Sequence, residues 1–226
     1  MINIKENDVI LFQGDSITDG NRGRSSDPNH IHGHGYQYIL ASEILADNLG
    51  KNVTVYNRGI SGNRIADLYA RWIEDCLNLE PTVLSILIGI NELIFEYDHK
   101  CGSSPERFKK TYKLLIEEVL ERNPETKIII MEPFFGKHRE DAPGKYIKEN
   151  VVFYQKASKE IAEEFGLVFV QAEEFGLVFV PLQEVFDEAS KRCDIFELLW
   201  DGVHPTTAGH QLIAKQWKKC VLGVGC

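Results

Sequence analysis

The 226-residue chain predicts an α/β fold, a parallel sheet held between two layers of helices. Short β-branched and apolar runs alternate with amphipathic stretches of helical period, the pattern of strands covered on both faces. Hydrophobic residues make up 43% and charged residues 26% of the chain, enough apolar material for a sizeable core. The length fits one medium domain, so a single domain over 1–226 is expected.

Val9–Phe12, Val53–Tyr56, Val83–Ile88 and Ile128–Met131 read as the first four strands, each short and apolar. Helices are expected at Gln37–Asn48, Ile65–Leu77, Pro105–Arg122 and Ile147–Phe165, with a last one from Thr207 to Cys220. Pro105 suits a first helical turn, where its missing N–H costs nothing. Residues 161–180 hold a tandem ten-residue duplication: Ala162–Val170 is repeated letter for letter by Ala172–Val180. Two copies are too few and too short for a solenoid. One copy can supply a helix end and a strand, while the other must become extra helix, a loop or a slipped register. Leu177–Val180 is the expected fifth strand, because Pro181 follows it as a stop. The expected architecture is a three-layer α/β/α sandwich on a flavodoxin-like five-stranded parallel sheet, with its ligand site beyond the carboxyl ends of the strands.

A net charge of −9 argues against nucleic acid and against acidic lipid surfaces, both of which are bound by clustered Lys and Arg. The N-terminus lacks a basic segment followed by an apolar one, and no apolar run approaches the roughly 18 residues that span a bilayer, so a cytoplasmic location without a membrane partner is expected. Five widely spaced cysteines, Cys76, Cys101, Cys193, Cys220 and Cys226, read as reduced thiols.

The first strand runs into Gly14-Asp15-Ser16-Ile17-Thr18-Asp19-Gly20, placing a hydroxyl at a strand's carboxyl end in a turn that small residues permit. Ser16 there is either a nucleophile or part of an ordinary helix cap. Near the other end, Trp200-Asp201-Gly202-Val203-His204-Pro205 sets a carboxylate and an imidazole three residues apart. Asp201 would hold the Nδ1–H of His204, leaving Nε2 to take the Ser16 proton. Alone, the same pair also fits a surface turn or half of a metal site. Two Gly/Asn clusters, Asn57-Arg58-Gly59-Ile60-Ser61-Gly62-Asn63 and Gly89-Ile90-Asn91-Glu92, follow the second and third strands. Gly62 can offer an unobstructed backbone N–H and Asn91 a side-chain amide toward a developing oxyanion, although ordinary strand-to-helix turns use the same residues.

These four segments, in this order, resemble the SGNH hydrolases, also called the GDSL esterase/lipase family, over nearly the whole chain. The resemblance implies that Ser16 is the nucleophile, His204 the base and Asp201 its orienter, with the Ser16 and Gly62 backbone amides and the Asn91 side chain forming the oxyanion hole. Ile17 stands where the family usually has Leu, and Glu92 follows Asn91 where Asp is commoner. Gly-Asp-Ser-Ile-Thr-Asp, His34-Gly35-Tyr36, Gly59 to Asn63, Ala70-Arg71-Trp72 and Trp200-Asp201 are similar to the acetylxylan esterases and related carbohydrate deacetylases. That implies an acetyl esterase acting on carbohydrate such as acetylated xylo-oligosaccharides, with no cofactor and with a tendency to homo-oligomers. Asp15, Tyr36 and Trp200 are candidate substrate contacts. Trp72 and Trp200 are either sugar-stacking platforms or buried packing residues. A lysophospholipase or thioesterase for longer acyl chains, and a non-catalytic carbohydrate-binding protein on the same fold, are the alternatives. His30, His32 and His34 alternate on one segment but lack neighbouring Cys or carboxylate ligands at standard spacing, so no metal is expected.

Overall fold

A computed structural model describes residues 1–136, 140–168 and 177–224. β1 (Val9–Gly14) leads through a short α1 (Ser16–Asp19) to α2 (Tyr36–Asp47) and β2 (Thr54–Asn57). Then come α3 (Ile65–Ala70), α4 (Trp72–Asp75), β3 (Val83–Leu87), α5 (Ile90–His99), α6 (Pro105–Arg122) and β4 (Lys127–Met131). The chain ends with α7 (Ala142–Val168), β5 (Val178–Val180), α8 (Gln183–Ala189) and α9 (Thr207–Val221).

The five strands form one parallel sheet in the order β2-β1-β3-β4-β5, the flavodoxin-like order expected. Every residue of β3 is buried, as a central strand covered on both faces requires. On one face α2, α8 and α9 pack, and on the other α3, α5, α6 and α7. An indole ties each layer: Trp217 of α9 donates from Nε1 to Ser85 Oγ of β3 (3.1 Å), joining helix to sheet, and Trp72 of α4 donates to the Leu115 carbonyl of α6 (3.1 Å), joining two helices of the other layer. Both rings are fully buried, so their N–H groups need these partners.

The first copy of the duplicated segment continues α7 as far as Val168, and the second supplies β5, whose Val178, Phe179 and Val180 stand opposite Ile129, Ile130 and Met131. Residues 169–176 of the two copies lie outside the described residues.

Two expectations need correction. The single helix over Ile65–Leu77 breaks at Arg71 and again at Cys76, followed by a 3-10 turn at Leu77–Leu79. Arg71 is drawn to Asn63 Oδ1 (2.7 Å) and to Asp75 (2.9 Å), while burial of Trp72 against α6 fixes the next turn, so tertiary contacts override helical period. The Gly89-Ile90-Asn91-Glu92 turn opens directly into α5, a helix the sequence pattern did not suggest.

With β1 flanked by β2 on one side and β3 on the other, the connections leave toward opposite faces. The carboxyl ends of β1 and β3 therefore border a crevice at the switch point of the sheet.

Candidate active site

β1 ends in Gly14 at φ +157°, where a Cβ would meet the Leu87 carbonyl and Thr18 Oγ1 at 2.4 Å, so only glycine fits. Asp15 then caps α1, its carboxylate accepting from the Ile17 amide (3.0 Å). Ser16 is thereby set in the first turn of α1 at the carboxyl edge of the sheet.

The second component is a hairpin before α9. The Trp200 amide donates to the His204 carbonyl (3.0 Å), Leu199 and Pro205 form an antiparallel bridge, and Gly202 turns at φ +87°. The Gly136 amide donates to the Gly202 carbonyl (2.7 Å), docking this hairpin on the loop after β4. His204 Nε2 then stands 2.8 Å from Ser16 Oγ. Its Nδ1 is 2.7 Å from Asp201 Oδ2, while Asp201 Oδ1 accepts from the backbone amides of Val203 (2.9 Å) and His204 (2.7 Å).

Burial by itself would raise the Asp201 pKa, but the hydrogen bonds from the His204 ring and from the two amides hold it down at about 2. The hydrogen bond to Asp201 raises the pKa of His204 in spite of burial. The dyad therefore favours an imidazolium with its positive charge beside a permanently ionised carboxylate.

The candidate oxyanion donors lie at the same end of the sheet. Gly62, at φ +81°, has an amide that donates to no described group. Asn91, buried at the start of α5, donates one side-chain N–H to the Asn63 carbonyl (3.0 Å), which fixes the amide and leaves its second N–H available. The loop carrying Gly62 is tied to the end of β1 by the Ile60 amide on the Gly14 carbonyl (3.1 Å) and to α1 by the Ser61 amide on Asp19 Oδ2 (3.0 Å).

Buried polar residues to which the sequence assigned no role hold this frame together. Asn57 Nδ2 donates to the carbonyls of Thr18, Asp19 and His32, and its Oδ1 accepts from the Gly59 amide. Burial pushes the Asp19 carboxyl up, but Arg24 and the Ser61 amide outweigh it and keep the group ionised. The Glu92 carboxylate accepts from the Ile65 amide (2.7 Å) and the Ser103 amide (2.6 Å), so its place beside Asn91 joins three segments rather than contacting a reactant. His210 Nδ1 accepts from the Tyr36 amide (3.1 Å), and burial, with His34 and His204 nearby, lowers its pKa to about 4. The only hint of these roles in the sequence was polar residues inside otherwise apolar or turn-forming segments.

Of the candidate substrate contacts, only Trp200 is displayed. Its indole is 64% exposed and stacks on His204 with centroids 5.9 Å apart and planes at 23°. Tyr36 is fully buried with its hydroxyl 2.9 Å from Thr18 Oγ1, and Asp15 is buried in its capping role, so both are corrected to framework residues. Trp72 takes the packing alternative. The histidines of the 30–34 segment diverge: His30 pairs with Asp27 (2.7 Å) and His32 with Gln37 (3.2 Å).

The model of the GDSL-like lipase/acylhydrolase family matches residues 12–212. An acetylxylan esterase of Geobacillus stearothermophilus is 34% identical over 216 residues, covering 94% of this chain and 93% of that protein. The solved structure of Axe2, an acetylxylan esterase from Geobacillus stearothermophilus, superposes with a TM-score of 0.81 at 31% identity, over 96% of this chain and 95% of that one. Two solved variants described as catalytic mutants of Axe2 replace an aspartate and a serine by alanine. A GDSL-like lipase candidate from Parabacteroides merdae superposes with a TM-score of 0.87 at 35% identity over 97% of both chains. No described helix is long and apolar enough to cross a membrane. The extent of the family match, joined to full-length likeness in both sequence and fold, places this chain in the GDSL-like lipase/acylhydrolase family.

Proposed function

We propose that this chain is a serine esterase that removes short acyl groups, foremost acetyl, from carbohydrate such as acetylated xylo-oligosaccharides. The observation that carries the reading is the unbroken hydrogen-bond chain from Ser16 Oγ through His204 to Asp201, drawn from segments 188 residues apart. The likeness to an acetylxylan esterase supports the acyl and sugar assignments.

Ser16 Oγ attacks the ester carbonyl as His204 Nε2 takes its proton, and the oxygen that becomes negative receives the Ser16 and Gly62 amides and the free N–H of Asn91. Collapse expels the sugar alcohol, which takes the proton back from His204. Water, deprotonated by the same nitrogen, then attacks the acyl-serine ester and releases the carboxylic acid and Ser16. Asp201 stays ionised and fixes the tautomer and direction of the ring. The exposed indole of Trp200 beside His204 offers a flat face on which a sugar ring can lie.

The test is turnover of a panel of acetylated xylo-oligosaccharides beside acetyl, butyryl and octanoyl esters of one chromogenic alcohol. Fastest hydrolysis of acetyl groups supports the reading. Rates that climb with chain length, as about 0.8 kcal/mol per buried methylene would produce, would instead indicate a lysophospholipase or thioesterase.

A further inference from the structure

A cavity of about 360 Å³ lies between the loop of residues 22–26 and the edge strand β2. Its walls include Arg22, Arg24, Arg58, Ser25, Ser26 and Tyr56. Three guanidiniums around one hollow are notable on a chain of net charge −9.

Carboxylate partners satisfy Arg24 but not Arg22 and Arg58. Arg24 forks onto Asp19 (2.6 and 3.1 Å), which leaves Asp75 for the others. Asp75 is already held by Arg71 at 2.9 Å; Arg58 Nε reaches it only at 3.6 Å, and that buried N–H has no hydrogen-bond partner among the described residues. Arg22 uses its Nε on the Gly59 carbonyl (2.9 Å), and its terminal nitrogens donate to no other described group. Burial first, and then the charge of Arg24, lowers the Arg22 pKa to about 10, which leaves it cationic at neutral pH.

The other walls suit a sugar more than a bare ion. Ser25 and Ser26 bring hydroxyls, and Tyr56 brings an aromatic ring with the Arg58 guanidinium 5.3 Å from its centroid. The edge strand adds polar backbone. With the Thr54 amide on the Asp8 carbonyl and the Arg58 amide on the Phe12 carbonyl, the even-numbered residues bond β1, and the groups of Val55 and Asn57 turn to the free edge. Two of its arginines are also held by groups close along the chain to the reaction centre. Asp19, which anchors Arg24, is three residues along α1 from Ser16, a rise of roughly 5 Å, and Gly59, which anchors Arg22, belongs to the loop that carries Gly62.

We propose that this cavity is an accessory subsite for a sugar unit bearing a carboxylate, so that the ester substrate is an acidic rather than a neutral oligosaccharide. The assignment rests on the carbohydrate-esterase reading above. Arg22 and Arg58 supply unspent fork donors to the carboxylate, while the serines and Tyr56 receive the ring.

The test compares kcat/KM for acetylated xylo-oligosaccharides with and without a uronic acid branch, the ratio being taken within each protein so that general losses cancel. The wild-type chain should favour the acidic substrate about tenfold, chiefly through KM and less so as salt rises. Arg22→Gln and Arg58→Gln should bring the ratio toward one, and Arg22→Lys should retain part of it. Calorimetry with free glucuronate reads the same cavity without turnover, and binding by the wild type that Arg58→Gln abolishes is the expected result. A wild-type ratio of one, a ratio unchanged in both Gln variants, or preference for phosphorylated over uronate-bearing sugars would overturn the subsite while leaving the esterase reading intact. Glucuronate binding without turnover of any acetyl ester would instead uphold the subsite and remove the esterase reading.

Discussion

Asp201 grips His204 twice, with Oδ2 2.7 Å from the ring Nδ1 and Oδ1 2.7 Å from the backbone amide of the same residue. The carboxylate thus sets both the course of the hairpin and the direction of the imidazole. Asp201→Asn can keep the backbone acceptor on its carbonyl oxygen but turns an NH2 toward Nδ1, which favours the tautomer whose Nε2 already carries a proton. The expected result is a fall in kcat of about 10⁴-fold on an acetyl ester with little loss of thermal stability. A kcat within tenfold of wild type would show that Asp201 is only a turn residue.

The pH profile follows from the same pair. Because the Asp201 hydrogen bond raises the His204 pKa above 6.5 and Asp201 itself titrates at about 2, the base form of His204 appears only on the alkaline side of 6.5. The kcat/KM should rise on the alkaline side of 6.5, where the buried Asp15 carboxyl at about 7 is coupled to the same imidazole, and show no ionisation near 4. Stability runs the other way: the raised His204 pKa contributes fully below 6.5, and the contribution fades as pH climbs through the folded value. A rate midpoint well below 6.5 would contradict this.

Asp15 gives a second, opposite linkage. Burial raises its carboxyl pKa from 3.8 to about 7, so the folded chain holds a proton that the unfolded chain has lost, and stability declines between those two values as pH rises. Asp15→Asn keeps an acceptor for the Ile17 amide and removes the charge. Its Tm relative to wild type should therefore improve from pH 4 to pH 8, as thermal scans at the two pH values would reveal. A Tm difference independent of pH would refute the shift.

Asn91→Ala removes the proposed side-chain donor to the oxyanion and should lower kcat by about 100–1000-fold with KM little changed. Steady-state kinetics on an acetyl ester decides it, and an unaltered kcat would mean that the second N–H points away from the reacting oxygen.

Asn57→Ala addresses the frame. Three donated bonds and one accepted bond are lost in a buried place, at a cost on the order of 3 kcal/mol, or a Tm drop of about 6–12 °C for a domain of this size. Calorimetric Tm values within 2 °C of wild type would show the loops to be held by other means.

The strands were legible because apolar β-branched runs such as Val83–Leu87 leave little alternative, and Pro181 marked which copy of the duplication becomes β5. The segments that bring Ser16, Asp201 and His204 into contact were legible because each sits in a short motif whose residue types belong together chemically. What was not legible depended on distant partners. Arg71 breaks a regular helical period because Asn63 and Asp75 draw on it, and Tyr36 and Asp15 are occupied by Thr18 and Ile17 rather than exposed. Asn57, Glu92 and His210 acquire their roles only when loops from separate strands converge, which no residue spacing encodes.

The account stands on Ser16 Oγ as the attacking atom. Mass spectrometry of the chain after incubation with an organophosphonate ester should find one adduct, on Ser16, formed in parallel with loss of acetyl-ester hydrolysis and absent from Ser16→Ala. An unmodified chain, or an adduct on another residue while hydrolysis persists in Ser16→Ala, would contradict it.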